Sequence, residues 1–152
     1  MTMTTPEQLS FVLRQEGLKA TRPRLAALKI LRESDHRHFS VEDVYRNVRR
    51  EHPRVSMATV YRVLEDLAAY KLVGFLRIGT DKTYYERRSD PHRHAICRGC
   101  GEIRDVEPVH ECLEACVPQE SNNGFRFDGT EVIFVGLCSS CQTRQLPKSA
   151  RV

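Results

Sequence analysis

Two cysteine pairs, Cys97-x-x-Cys100 and Cys138-x-x-Cys141, constrain this chain more than any other feature. Thiolates two residues apart can both turn toward one ion from a tight turn. Two such pairs complete the closed tetrahedral set of four sulfurs that structural Zn2+ prefers. The 37 residues between the pairs exceed the span of a compact zinc ribbon, so a small domain is expected to fold between them. Disulfides or a chance pairing are the competing accounts. The N-terminus, Met1-Thr2-Met3-Thr4-Thr5-Pro6, lacks the basic and then apolar regions of a secretory signal. Six cysteines without such a signal favour a reducing compartment and metal thiolates, and the expected location is cytoplasmic.

Immediately ahead of the first pair stands His92-x-His94. Successive side chains of a strand point to opposite faces, so these imidazoles can share an ion only where the backbone is irregular or enters a strand. Further ligands would have to come from elsewhere in the chain. A length of 152 residues allows one medium domain or two small ones. Two small domains would each be short of core, and a metal staple would offset that shortage. No apolar run approaches the roughly 20 residues that span a bilayer, so no membrane partner is expected.

Charge is unevenly placed. Residues 1–90 carry 17 Lys/Arg against 12 Asp/Glu, whereas residues 91–152 carry 7 against 8. The positive excess lies away from the cysteines, as expected if the first half meets phosphate.

Residues Glu7 to Glu16 read as an amphipathic helix with Leu9, Val12 and Leu13 on one side, ended by Gly17. Thr21 is an expected N-cap for a second helix, with Pro23 in its first turn and Leu25, Leu28, Ile30 and Leu31 on its apolar face. After a link from Glu33 to His38, Ser40-Val41-Glu42-Asp43 resembles a capping box for a third helix carrying Val41, Val44, Tyr45 and Val48. Ser56 caps a fourth, in which Val60, Val63, Leu64 and Leu67 recur at helical spacing and face inward. Met57, Ala58, Tyr61 and Arg62 are left near its exposed N-terminal end. Two β-rich runs, Leu72 to Ile78 and Thr83 to Glu86, flank Gly79-Thr80-Asp81-Lys82 and read as a hairpin. Helices followed by a two-stranded ribbon are the plan of a winged helix-turn-helix, in which one helix enters the major groove.

The polar stretch Arg87-Arg88-Ser89-Asp90-Pro91 reads as a hinge. Beyond it the pattern predicts strands over His94–Cys97, Glu102–Val106, Gly124–Asp128 and Val132–Leu137, with a helix over Pro108–Val117. Val132-Ile133-Phe134-Val135 is apolar throughout. It should be buried on both faces, which in so small a domain suggests a subunit interface. The tail after Cys141 reads as disordered.

Ala58-Thr59-Val60-Tyr61-Arg62, followed by His92-x-His94-x-x-Cys97-x-x-Cys100 and a distal Cys138-x-x-Cys141, resembles the ferric uptake regulator (Fur) family of metal-dependent repressors. The likeness runs from about Leu9 to Cys141. It implies an α+β homodimer. Its N-terminal winged helix-turn-helix domain would span residues 1–88, followed by a hinge over 89–91. A C-terminal α/β dimerisation domain with a four-cysteine zinc site would span 92–152. Structural Zn2+ would sit on Cys97, Cys100, Cys138 and Cys141. A regulatory ion would sit between the domains on His38, Glu86, His92, His94 and Asp105. Three imidazoles and two carboxylates suit Fe2+ or Mn2+. The expected partner is double-stranded operator DNA. Tyr61 and Arg62 would enter the major groove, Lys19 would lie near the minor groove, and Arg22, Arg24 and Arg54 would contact phosphate.

Within the family, an Asp at the position of Asp105 resembles the peroxide-responsive (PerR) branch. There, bound Fe2+ reacts with peroxide, a ligand histidine matching His38 or His92 is oxidised, and DNA is released. Glu86 departs from that branch, which often has Asp there; iron-sensing members commonly carry Glu. Arg93, between the two histidines, argues against an additional metal site built at that point.

Blander accounts compete. His38 could be a loop histidine, Glu86 and Asp105 solvated carboxylates, Tyr61 a core residue and Arg62 a surface charge. Cys112 and Cys116, four apart on one helix face near His110, are read as small buried hydrophobes, with a redox or metal role left open. A non-haem iron oxygenase could use a similar donor set, but no scaffold or substrate pocket for one is visible. A zinc-stapled interaction module without DNA binding is the other class, and the Ala58–Arg62 segment with its wing argues against it.

Overall fold

The computed structural model describes residues 4–33, 38–79, 82–87, 92–106 and 132–145. The chain divides into two compact units, Met1–Asp90 and Pro91–Val152. The first contains helices α1 (Pro6–Gln15), α2 (Arg22–Glu33), α3 (Val41–Glu51) and α4 (Met57–Ala69), with strands β1 (His38–Ser40), β2 (Gly74–Ile78) and β3 (Lys82–Glu86). In the second, the described elements are β4 (Arg93–Cys97), β5 (Ile103–Val106), β6 (Ile133–Gly136) and helix α5 (Ser139–Gln145). The predicted helix over 108–117, the predicted strand over 124–128, and His110, Cys112 and Cys116 lie outside the described residues.

Local chemistry sets the helix limits. Thr5 and Gln8 form a capping box at the start of α1, and Pro6 occupies its first turn, where a missing N–H is harmless. At the other end, the Leu18 amide donates to the Leu13 carbonyl at 2.8 Å and the Gly17 amide to the Arg14 carbonyl at 3.0 Å. This is a Schellman turn, and it needs the left-handed φ of +76° that Gly17 supplies. Leu13 and Leu18, which the turn brings together, are both buried. Ser40 and Asp43 form the predicted capping box of α3, and the Ser56 side chain accepts from the Thr59 amide at 3.1 Å to cap α4.

The core of the first unit is built from those helical faces. Leu9 and Leu13, Leu28 and Leu31, Val44 and Val48, and Leu64 and Leu67 are almost fully buried together. Met57, expected near the exposed end of α4, instead packs partly against this core.

Three differences from the sequence expectations concern short segments. The ribbon of the winged helix has three strands, ordered β1-β3-β2 and antiparallel throughout, because the link before α3 contributes β1. Three residues ending in a helix cap show no periodicity, yet Phe39 is buried in the core and anchors the strand. The chain also continues past Cys141 as helix α5, where the Gln142 amide donates to the Cys138 carbonyl at 2.9 Å. The polar run 139–145 has no apolar repeat to announce a helix. Finally, the Ile133–Val135 strand is not covered on both sides within the chain: Phe134 is 45 % and Val135 68 % exposed. The second sheet is ordered β5-β4-β6, with β4 antiparallel to β5 and parallel to β6, so β6 is an edge among the described strands.

Candidate metal centres and nucleic-acid face

The cysteine cluster is built by two tight turns. The chain leaves β4 at Cys97 and turns back through Gly101, whose amide donates to the Cys97 carbonyl at 2.8 Å and whose φ is +77°. The second pair, Cys138 and Cys141, sits where β6 gives way to α5. The Arg98 amide donates to the Gly136 carbonyl at 2.8 Å and ties one turn to the other. Sulfurs of Cys97, Cys100, Cys138 and Cys141 then lie within 4.8 Å of one another. Cys100 and Cys138 sulfurs are 3.7 Å apart, close to the edge of about 3.8 Å of a tetrahedron with Zn–S bonds near 2.3 Å.

Electrostatics fit a cation at the centre. The Cys138 amide, 3.2 Å from the Cys97 sulfur, together with the Cys100 and Gly99 amides, holds that thiol down at about 6. The neighbouring Cys138 and Cys97 sulfurs push Cys141 up to about 12. Thiolates this close oppose one another, so all four ionise together only around a positive ion. Arg104 adds positive charge nearby. Its guanidinium is held by Glu102 at 2.7 Å and is stabilised further by Cys138 and Cys100.

Gly99 completes the cluster in a way the cysteine spacing alone did not indicate. A β-carbon there would meet the Cys141 sulfur at 2.9 Å, its β-carbon at 3.1 Å and Leu137 at 3.2 Å. The turn can approach the second pair only because position 99 has no side chain. The available signal was the sequence Cys97-Arg98-Gly99-Cys100-Gly101 itself.

The five predicted histidines and carboxylates divide between the units, His38 and Glu86 in the first and His92, His94 and Asp105 in the second. In the first, His38 of β1 stands directly opposite Glu86 of β3. The His38 Nε2 lies 3.2 Å from the Glu86 Oε2, with both side chains 5 % exposed. On its other side Glu86 faces Gly74 of β2, which carries no side chain. In the second unit, His94 of β4 stands opposite Asp105 of β5, and the His92 Nε2 lies 3.9 Å from the Asp105 Oδ1, with side chains 4 % and 6 % exposed. His92 precedes β4, which frees it from strand alternation. Its ring centroid comes within 4.4 Å of that of His94. Burying imidazoles and carboxylates is unfavourable unless they are paired or coordinated, so each set is suited to hold part of a metal shell.

On α4, Tyr61 is 42 % exposed and Arg62 is exposed, while Val60, Val63, Leu64 and Leu67 are buried. Lys19, Arg22 and Arg54 are also exposed. Arg22 and Arg54 line one cleft of about 530 Å³ with His52 and Thr59. Arg24, the remaining predicted phosphate contact, already has partners within the protein. Its Nη2 lies 2.5 Å from the Asp66 Oδ2, its Nη1 donates to the Lys19 carbonyl at 3.1 Å, and its side chain is only 20 % exposed.

A winged helix-turn-helix joined to a unit that clusters four thiolates defines a metal-dependent transcription regulator rather than an enzyme. The sequence model of the Ferric uptake regulator family matches residues 15–133, and the chain belongs to that family. The ferric uptake regulation protein of Bordetella parapertussis is 38% identical over 132 residues, covering 86% of this chain and 94% of that protein. Among solved structures, the ferric uptake regulator of Pseudomonas aeruginosa with manganese superposes with a TM-score of 0.65 at 28% identity, covering 86% of this chain and 98% of the other. The Campylobacter jejuni peroxide stress regulator does so at 0.60 and 30% identity, covering 88% and 98%. No helix among the described residues is long and apolar enough to cross a membrane.

Proposed function

We propose that the protein is a homodimeric repressor that binds double-stranded operator DNA when a regulatory metal is present and releases it when peroxide oxidises the iron-loaded site. Cys97, Cys100, Cys138 and Cys141 would hold structural Zn2+. His38, Glu86, His92, His94 and Asp105 would together hold Fe2+ or Mn2+, an imidazole and carboxylate set that suits both ions. The observation that carries this reading is the presence of a buried imidazole–carboxylate pair in each unit, His38–Glu86 and His92–Asp105. An ion taking ligands from both would favour one arrangement of the units over others, and such differential affinity is what a metal switch requires.

Tyr61 and Arg62 would read the major groove, Lys19 would reach the minor groove, and Arg22 and Arg54 would neutralise phosphates. The exposed β6, with Phe134 and Val135, would pair with a second copy of the chain. An iron ion held by these residues would supply redox chemistry toward peroxide. As the resemblance to the peroxide-responsive branch implies, His38 or His92 would receive the oxygen.

A second reading, iron (or manganese or zinc) co-repression without peroxide sensing, is favoured by Glu86 and by the 38% identity to a ferric uptake regulation protein over 86% of the chain. Peptide mass spectrometry on Fe2+-loaded protein given a small dose of peroxide separates the two. An added oxygen on the peptide holding His38 or His92, absent when Mn2+ replaces Fe2+, is expected. Unmodified histidines would establish the second reading instead.

A further inference from the structure

We propose that Arg24 is a positioning residue for DNA recognition rather than a phosphate contact. Its guanidinium joins two parts of the DNA-facing unit. Nη2 holds Asp66 on α4 at 2.5 Å, and Nη1 holds the Lys19 carbonyl, in the turn before α2, at 3.1 Å. The same Lys19 carbonyl accepts from the Thr21 amide at 2.9 Å, so the turn is held at one oxygen by two donors. Arg24 is 20 % and Asp66 40 % exposed. Both arms of the fork therefore have partners within this unit.

The clasp ties Lys19 to the helix that presents Tyr61 and Arg62. Two of the five guanidinium donors are engaged in this way, and the Asp66 carboxylate offsets the charge that a phosphate would otherwise meet. Arg24 would thus set where two DNA-reading elements stand while releasing no counterion itself. This role exists only if the protein binds duplex DNA as proposed above.

The two accounts of Arg24 predict opposite signs. If Arg24 contacts phosphate, Asp66 is a competitor, and Asp66→Ala should tighten binding by freeing a cation and removing an anion. If Arg24 is a clasp, Asp66→Ala should weaken binding. A duplex selected from a random-sequence library by the metal-loaded wild-type dimer serves as the probe, titrated over a range of salt with Arg24→Ala, Arg24→Lys, Asp66→Ala, Asp66→Asn and the Arg24→Ala/Asp66→Ala double variant.

The expected result is a loss of about tenfold in each single variant, the size implied by losing one charge-assisted hydrogen bond. The double variant should be no worse than either single one. The slope of affinity against salt should match wild type, since no phosphate contact has been removed. Arg24→Lys should behave as Arg24→Ala, because an ammonium cannot reproduce both arms of the fork.

A salt slope lowered by about one in Arg24→Ala, near wild-type binding by Arg24→Lys, or tighter binding by Asp66→Ala would each overturn the proposal. Amide hydrogen exchange on the same DNA-free proteins tests the clasp separately. Faster exchange at Thr21 in both Arg24→Ala and Asp66→Asn is expected, and unchanged exchange overturns the clasp alone. Selection of no duplex by the wild type would overturn the DNA-binding reading and the role of Arg24 in it, whatever the exchange shows.

Discussion

The cysteine cluster and the two imidazole–carboxylate pairs gather metal donors by opposite means. In the cluster, position comes from covalent spacing: two residues separate the members of each pair, and local amides fix the sulfurs. For four of the histidines and carboxylates position comes from strand register, while His92 precedes β4 and lies beside Asp105. His38 meets Glu86, and His94 meets Asp105, because each stands opposite the other in an antiparallel ladder. Four crowded sulfurs need a cation before they can ionise together, so the cluster and its metal should form as one event. The pairs are held by a scaffold that other residues stabilise, so they can gain or lose an ion while the fold persists. The first design suits a staple, the second a switch.

Removing one donor from each set tests that contrast most severely. Cys97→Ser should strip the zinc and unfold the β4–β6 unit, because structural zinc contributes about 10–16 kcal/mol to domains of this kind. Zinc content and sedimentation should show a metal-free monomer whose first unit stays folded; a zinc-free variant that remains an intact dimer would contradict the staple. His92→Ala should leave zinc and oligomeric state unchanged while lowering regulatory-metal affinity more than about a hundredfold, beyond the usual cost of losing an outer-shell partner. Metal-dependent binding to selected duplex DNA is the readout, and binding retained at wild-type metal concentrations would remove His92 from the site.

The same contrast explains what could be read from the chain. Helices α1 to α4 carry their own punctuation in Thr5, Gly17, Ser40 and Ser56, and their apolar repeats name the core. The cysteine pairs declare themselves by spacing. Strand β1 does not, because three residues give no period and its burial rests on Phe39 alone. Helix α5 stayed hidden for the related reason that a seven-residue polar helix depends on local hydrogen bonds rather than on an apolar face. His38 and Glu86 could be singled out only through the family resemblance, since nothing in their local sequence reveals that β1 and β3 will pair. Arg24 shows the converse. A basic side chain beside the turn at Lys19 suggests a phosphate contact from sequence, whereas the carboxylate it meets lies 42 positions away on another helix.

A smaller perturbation asks how closely the staple is packed. Gly99→Ala places a methyl 2.9 Å from the Cys141 sulfur, where no real β-carbon sits, so the turn must shift. All four ligands remain, and the unit should still fold with zinc. Zinc affinity measured by competition with a chelator should fall about tenfold, the loss typical of disturbing the shell around a metal site. Glycine's own flexibility is not at issue, because φ at position 99 is not left-handed. Unchanged zinc affinity would mean that the second turn gives way without strain and that position 99 matters little.

The smallest effect probes whether the switch depends on its scaffold. Ser40 ends β1, two residues after His38, and begins α3. Its hydroxyl accepts from the Asp43 amide at 3.1 Å and donates to the Asp43 carboxylate at 2.6 Å. Ser40→Ala should cost about 1 kcal/mol and lower the melting temperature of the first unit by about 4–8 °C. Zinc affinity should not move, whereas regulatory-metal affinity should fall modestly, because the cap fixes the end of the strand that carries His38. Burial pushes the Asp43 carboxyl up, but the Ser40 hydroxyl and amide and then Arg46 more than reverse this, leaving it below its ordinary 3.8. A carboxyl lowered on folding contributes stability above its unfolded pKa and loses it as pH falls through the lower folded value. The gap between wild type and Ser40→Ala should therefore be full at neutral pH and narrow below about pH 4, though only slightly, because a side chain 38 % exposed is well screened by solvent. A gap that widened on acidification would mean that Ser40 acts on the fold by some route other than its bonds to Asp43.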